Sequence, residues 1–117
     1  MALVTSAYTP SVDAHDFFND VSANQVSGAG YTAGGNAIST RSIAGPSSGV
    51  VTVDGDDPAT WVENAAGFSN ARFAILYRDT GNAATSPLIG YYDLGSDQGN
   101  TSGDLTLSFN TVIFTAS

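Results

Sequence analysis

ARFAILYRDTGNAATSPLIGYYDL, residues 71–94, decides the fold. Within 71–78, Phe73, Ile75 and Tyr77 fall on one face of an extended chain, and Ala74 and Leu76 fall on the other, because strand side chains alternate with period two. Both faces are largely apolar, which marks a central strand covered on two sides. Residues 79–87 (DTGNAATSP) hold the Asp, Gly, Asn, Ser and Pro that turn a chain. Residues 88–94 (LIGYYDL) are again extended. The stretch predicts two strands joined by a loop, with no room for a crossover helix.

The same reading extends outward. ALVTSAY (2–8) is predicted as a strand, as are the pair 36–43 and 49–54, turned by Gly45-Pro46-Ser47-Ser48. After the turn Asp54-Gly55-Asp56-Asp57-Pro58, Thr60-Trp61-Val62 predicts a short strand. In 104–109, Leu105, Leu107 and Phe109 alternate with Asp104, Thr106 and Ser108, as in a half-buried strand. Asn110 breaks that phase, so a bulge or turn there would return Val112 and Phe114 to the core. DAHDFFND (13–20) is the helical segment, one or two turns long, with Asp13 as N-cap and Asp16 in its first turn. SGAGYTAGG (27–35) is a loop. Turn signals this frequent predict an all-β single domain over 1–117, an antiparallel β-sandwich or flattened, jelly-roll-like barrel of seven or eight short strands with one short helix.

Composition narrows the function classes. Ala, Ser, Gly, Thr and Asn supply more than half of the 117 residues, while Val, Leu, Ile and Phe supply just over a fifth, enough for a thin core. There are three Arg and no Lys against 11 acids, a net charge of −8, and no Cys. No basic stripe exists to replace phosphate counterions, which argues against nucleic acid and against anionic membranes. Without Cys there is no disulfide and no thiolate site. MALVTSAY lacks a signal-peptide pattern, and no apolar run approaches the ~20 residues that span a bilayer.

The chemistry-bearing residues are few. His15 is the single imidazole, and its neighbour Asp16 would not face it on a helix. The carboxylates Asp54, Asp56, Asp57, Asp79 and Asp97 lie in turns, where acids ordinarily bond backbone amides. Asp54, Asp56 and Asp57 are the place to look for calcium, although they do not follow the EF-hand spacing. Gly28-Ala29-Gly30-Tyr31-Thr32-Ala33-Gly34 misses the dinucleotide fingerprint by one position and has no βαβ frame. Trp61, Tyr31, Tyr91 and Tyr92 read as core aromatics or as a carbohydrate platform. Asn100-Thr101-Ser102 is a glycosylation sequon by pattern. These residues point to no enzyme and no cofactor.

Four segments carry a resemblance: LVTSAYTPSVDAHDFFNDV (3–21), VSGAGYTAGGNAI (26–38), ATWVENAAGFSNARFAILYRDTGNAATSPLIGYYDLGSDQ (59–98) and SGDLTLSFNTVIFT (102–115). Together they resemble a family of small proteins encoded in tailed-phage structural gene regions. The most specific parts are YTP-x3-DAHD (Tyr8 to Asp16), GYTAGG (Gly30 to Gly35) and Y-x-D-T-G-x-A-x-T-S-P-L-I (Tyr77 to Ile89). The resemblance implies a virion structural role and no catalytic residues. One departure is that this chain opens directly on Ala2-Leu3-Val4, where family members often carry a short leading stretch, so the start differs or a neighbouring subunit completes that edge. The expectation is a capsid decoration or cement protein on the outer capsid surface, binding the major capsid protein and forming a homo-oligomer. The alternatives are a receptor- or glycan-binding module of a tail or head fibre, and a neck or tail completion component. The expected contact residues are Leu3 and Val4 on an open strand edge, Tyr8, Tyr31 and Thr32 in the first loops, and Thr80, Asn82 and Thr85 in the 79–87 loop.

Overall fold

The computed structural model describes residues 1–11, 13–109 and 114–116. Among them are six strands: β1 (Ala2–Val4), β2 (Ser42–Ser47), β3 (Val50–Asp54), β4 (Ala71–Tyr77), β5 (Leu88–Gln98) and β6 (Phe114–Ala116). They form two antiparallel three-stranded sheets, ordered β1-β4-β5 and β2-β3-β6. The class is all-β.

β4 is the central strand of the first sheet, as its two apolar faces require. Ala2, Leu3 and Val4 stand opposite Ile75, Ala74 and Phe73, so each face of the sheet receives a continuous apolar row. On one side Ala74, Leu76 and Leu3 meet Val26, Ile38, Trp61, Phe68 and Leu105. On the other, Ile75, Ala2 and Val4 meet Tyr8, Phe18 and Val21, and Phe18 stacks on Tyr77 with centroids 4.0 Å apart. Each fully buried Leu, Ile, Val or Phe contributes about 1.5–3 kcal/mol. Neither core contains a residue of β2 or β3. The first sheet is thus covered by irregular chain on both faces, and the second sheet stands off as an arm. The extents, 47 × 29 × 27 Å, and a radius of gyration of 14.4 Å reflect it, against roughly 13 Å for a compact chain of this length.

Several elements differ from the sequence expectation. β1 stops at Val4 instead of continuing to residue 8, because Thr5 starts a turn: its carbonyl accepts from Tyr8 N at 3.1 Å. Residues 13–20 are not an α-helix. Only Phe18–Asp20 coil, as a 3₁₀ turn followed by a second at Ser22–Asn24. Asp20, not Asp13, caps the segment, accepting from Asp16 N and Phe17 N at 3.0 Å each. Asp and Asn compete for backbone amides in this way, and a short acidic segment yields to them.

The strand predicted at 36–43 begins only at Ser42, and Gly45-Pro46 lies inside β2 rather than turning it. The register shifts between Ala44 and Ser47, an irregularity where a proline without an N–H is tolerated. The turn is Ser48-Gly49, both with positive φ (51° and 79°), the geometry of a tight hairpin. The predicted strands 60–62 and 104–109 reduce to one bridge, in which Trp61 and Leu105 exchange two hydrogen bonds of 2.9 Å. Leu105, Leu107 and Phe109 do face the core. Residues 110–113, with the phase break at Asn110, lie outside the described residues.

Candidate interaction surfaces

The expected open edge of β1 is closed by the chain itself. Val26 N donates to Leu3 O (3.1 Å), Thr5 N to Asn24 O (2.9 Å) and Asn36 N to Met1 O (3.0 Å). The Tyr31 hydroxyl accepts from Leu3 N at 3.1 Å and donates to Gln25 Oε1 at 2.9 Å. Leu3 and Val4 are fully buried and Tyr8 is 5% exposed, so none of the three offers a contact surface. Tyr8 sits edge-on to Phe73 and against His15. Tyr31 is half-buried, and burial pushes its phenol up to about 12. Its loop is a clamp on β1, built at a close approach: a Cβ on Gly35 would collide with the Met1 carbonyl. Thr32 stays exposed at the loop tip.

Thr80, Asn82 and Thr85 are exposed, as a contact loop requires. The loop is pinned from within. Thr80 N donates to the buried Ser86 Oγ (3.0 Å), Ser86 Oγ donates to Asn82 O (2.9 Å), and Thr80 and Thr85 share a hydroxyl bond of 2.7 Å. The result is a preformed knob.

The three turn acids diverge. Asp54 Oδ1 accepts from Gly55 N (2.8 Å), and Asp57 Oδ1 from Phe109 N (2.7 Å). Asp56 Oδ2 accepts from Thr40 Oγ1 (2.6 Å) and Ser39 Oγ (3.1 Å). Among the described residues no three metal-ligating side chains converge. Asp56 instead clasps the two ends of the β2–β3 arm.

The aromatic platform does not assemble. Trp61 is 1% exposed and belongs to the core. Tyr91 and Tyr92 are successive residues of β5 and face opposite sides, Tyr91 toward Phe73 and Tyr92 toward Phe109. His15 lines a small cleft of about 220 Å³ with Tyr8, Ser11 and Asp16. Its Nδ1 is buried, and among the described residues no carboxylate or hydroxyl bonds to it.

Asn100, read from its pattern as a sequon, is a fully buried hub. Its Oδ1 accepts from Phe68 N (2.9 Å), and its Nδ2 donates to Val62 O (2.9 Å) and Ala29 O (3.1 Å). Its backbone adds bonds to Phe68 O and from Asn64 N. Gly67 makes room for it, since a Cβ there would collide with Asn100 Oδ1. The sequence reading missed this hub, and it missed the exposed arm. β2 is exposed at every position, and Ile43 at 76% is the most exposed large apolar side chain among the described residues.

Arg72, on β4, pairs with Asp93 on β5 at 2.8 Å. The Arg72 hydrogen bond holds the Asp93 carboxyl below its usual range. Among the described residues no helix is long and apolar enough to cross a membrane. Comparison with protein-family models, curated proteins and solved structures finds no match.

Proposed function

We propose that the chain is a structural protein of a tailed-phage virion that decorates the outer capsid surface by docking on the major capsid protein. The resemblance carried by segments 3–21, 26–38, 59–98 and 102–115 supplies the virion setting; the arm lies outside those segments. The observation that carries the docking reading is the β2–β3 arm, which extends from a body whose two buried clusters contain no residue of it. Covering the arm's exposed Ile43 would add apolar burial to such an interface. The charge of −8 fits a position outside packaged DNA, where like charge repels it from the interior. The action is passive: arm and 79–87 knob bury surface across neighbouring subunits and hold them together. Copies of the chain assemble with one another on that lattice.

The glycan-binding alternative has less support, because Trp61 is buried in the core and Tyr91 and Tyr92 face opposite sides of β5. The enzyme reading draws no support from His15, whose Nδ1 has no partner among the described residues.

Mixing the protein with DNA-free capsids and imaging them tests the proposal. Stoichiometric density at regular lattice positions is the expected result, reduced by Ile43→Ser. That substitution leaves folding within about 0.5 kcal/mol of the parent, because the side chain is exposed. Density confined to the neck or tail, or none, overturns it.

A further inference from the structure

The base of the arm and the end of the first sheet enclose a cleft of about 620 Å³. Its walls are Arg41, Ile43 and Val53 on the arm side and Leu76, Arg78 and Ile89 on the sheet side. Two features set it apart from the rest of the surface.

The first is charge. The chain has three basic side chains against 11 acids, so every arginine has acids available to pair with. Arg72 does pair, with Asp93. Arg41 and Arg78 both line this one cleft, and among the described residues neither guanidinium makes an ion pair or a hydrogen bond. The two acids that share the cleft, Asp54 and Asp79, each turn a carboxylate oxygen onto their own loops, to Gly55 N and Gly81 N at 2.8 Å. Two arginines without a side-chain partner among the described residues thus line one space, and a guanidinium is a five-donor fork suited to bidentate carboxylates.

The second is an apolar lining that sits out of register. β4 and β5 pair Leu76 with Gly90 and Tyr77 with Leu88, so Ile89 is the extra residue of a bulge. Bulges re-aim a side chain, and Ile89, 46% exposed, lines the cleft together with Ile43 of the arm.

We infer that the cleft seats an extended segment of a partner protein in which acidic and aliphatic residues alternate. Its carboxylates sit on Arg41 and Arg78, and its apolar side chains lie against Ile43 and Ile89. The inference rests on the docking role proposed above and names the chemistry of the partner. A nucleic acid is excluded by the overall charge, and a basic segment by the two guanidiniums. A second copy of the chain is the competing occupant, and the sedimentation arm of the test decides for or against it.

The test uses the whole chain and two fluorescein-labelled peptides, SVEVEVS and its lysine counterpart SVKVKVS, in an anisotropy titration at low and high salt. For a protein this acidic, non-specific attraction favours the lysine peptide. Preference for the glutamate peptide, weakened by salt and at least tenfold weaker in Arg41→Gln and in Arg78→Gln, supports the inference. Both arginines are exposed, and unchanged melting of the variants verifies their folds. Preference for the lysine peptide, equal affinity of parent and variants, or no binding of either peptide overturns it. Arginine-dependent self-association in sedimentation also overturns it, since the cleft then belongs to a second copy. Capsid mixing separates the two proposals. If parent and double variant decorate capsids equally, the cleft assignment falls and decoration stands. If the parent does not decorate capsids yet binds the glutamate peptide through its arginines, decoration falls and the cleft stands.

Discussion

Asn100 carries a disproportionate share of the loop structure. Its side chain reaches residues 32, 38 and 71 positions away in the chain, joining three irregular segments that no sheet ladder holds. Asn100→Ala strands a buried amide and two carbonyls, and should cost about 3 kcal/mol, or roughly 10 °C in melting temperature. Asn100→Asp should cost more, because an oxygen would replace the donor facing Val62 and Ala29. Thermal unfolding followed by circular dichroism measures both. The sequence could not disclose this role: nothing in the triplet 100–102 names partners so distant, and Gly67, which makes the space, is one glycine among 13.

Tyr31 makes a second residue-scale prediction. Burial raises its phenol to about 12, so the folded state holds the proton more tightly than the unfolded chain, whose tyrosines titrate near 10. Its contribution is whole below pH 10 and is lost as pH rises toward 12. Urea unfolding at pH 9 and pH 11 should show stability falling with pH. Tyr31→Phe should be less stable at pH 9, with a shallower fall. Some fall persists, since burial also raises Tyr8, Tyr77 and Tyr92.

At the scale of elements, the β4–β5 hairpin was legible because its evidence is local. Apolar residues on both faces of 71–77 leave that strand no place but the middle of a sheet. The 104–109 segment shows where the same rule stops. Leu105, Leu107 and Phe109 satisfy their alternation by dipping into the core, and a single bridge to Trp61 replaces the ladder. Alternation reports which side chains are buried, not whether another strand lies alongside. In 13–20 the helical reading failed because Asp20 takes the amides of Asp16 and Phe17. The arm yields an element-scale prediction. Its base is held by the Asp56 carboxylate on Ser39 and Thr40 and by Asp56 N on Ser39 O at 3.0 Å. Asp56→Ala should cost about 1 kcal/mol and accelerate hydrogen exchange across β2 and β3 while leaving β4 unchanged. Exchange read by mass spectrometry checks this, and uniform acceleration would mean that arm and body open together.

At the scale of the whole molecule, two three-stranded sheets have unequal duties. The first, with β4 at its centre, is wrapped on both faces and accounts for both buried clusters. The second is carried on its flank with its outer strand exposed. A protein built so keeps its stability and its docking surface in different places. Ile43→Ser, Arg41→Gln and Arg78→Gln should therefore leave the melting temperature within about 2 °C of the parent, whereas Trp61→Ala should cost about 3–5 kcal/mol. A binding defect in a Trp61 variant would report unfolding, not a lost ligand contact.

The burial of Asn100 also makes folding and one covalent modification mutually exclusive. In a secretory host, the glycosylating enzyme would meet Asn100-Thr101-Ser102 on the nascent chain, before the side chain is enclosed. A sugar added there occupies the nitrogen that Ala29 and Val62 need, and a chain so marked cannot close around it. The fraction of unmodified protein leaving such a host would then measure a race, with the closing of the loops around Asn100 timed against the transferase.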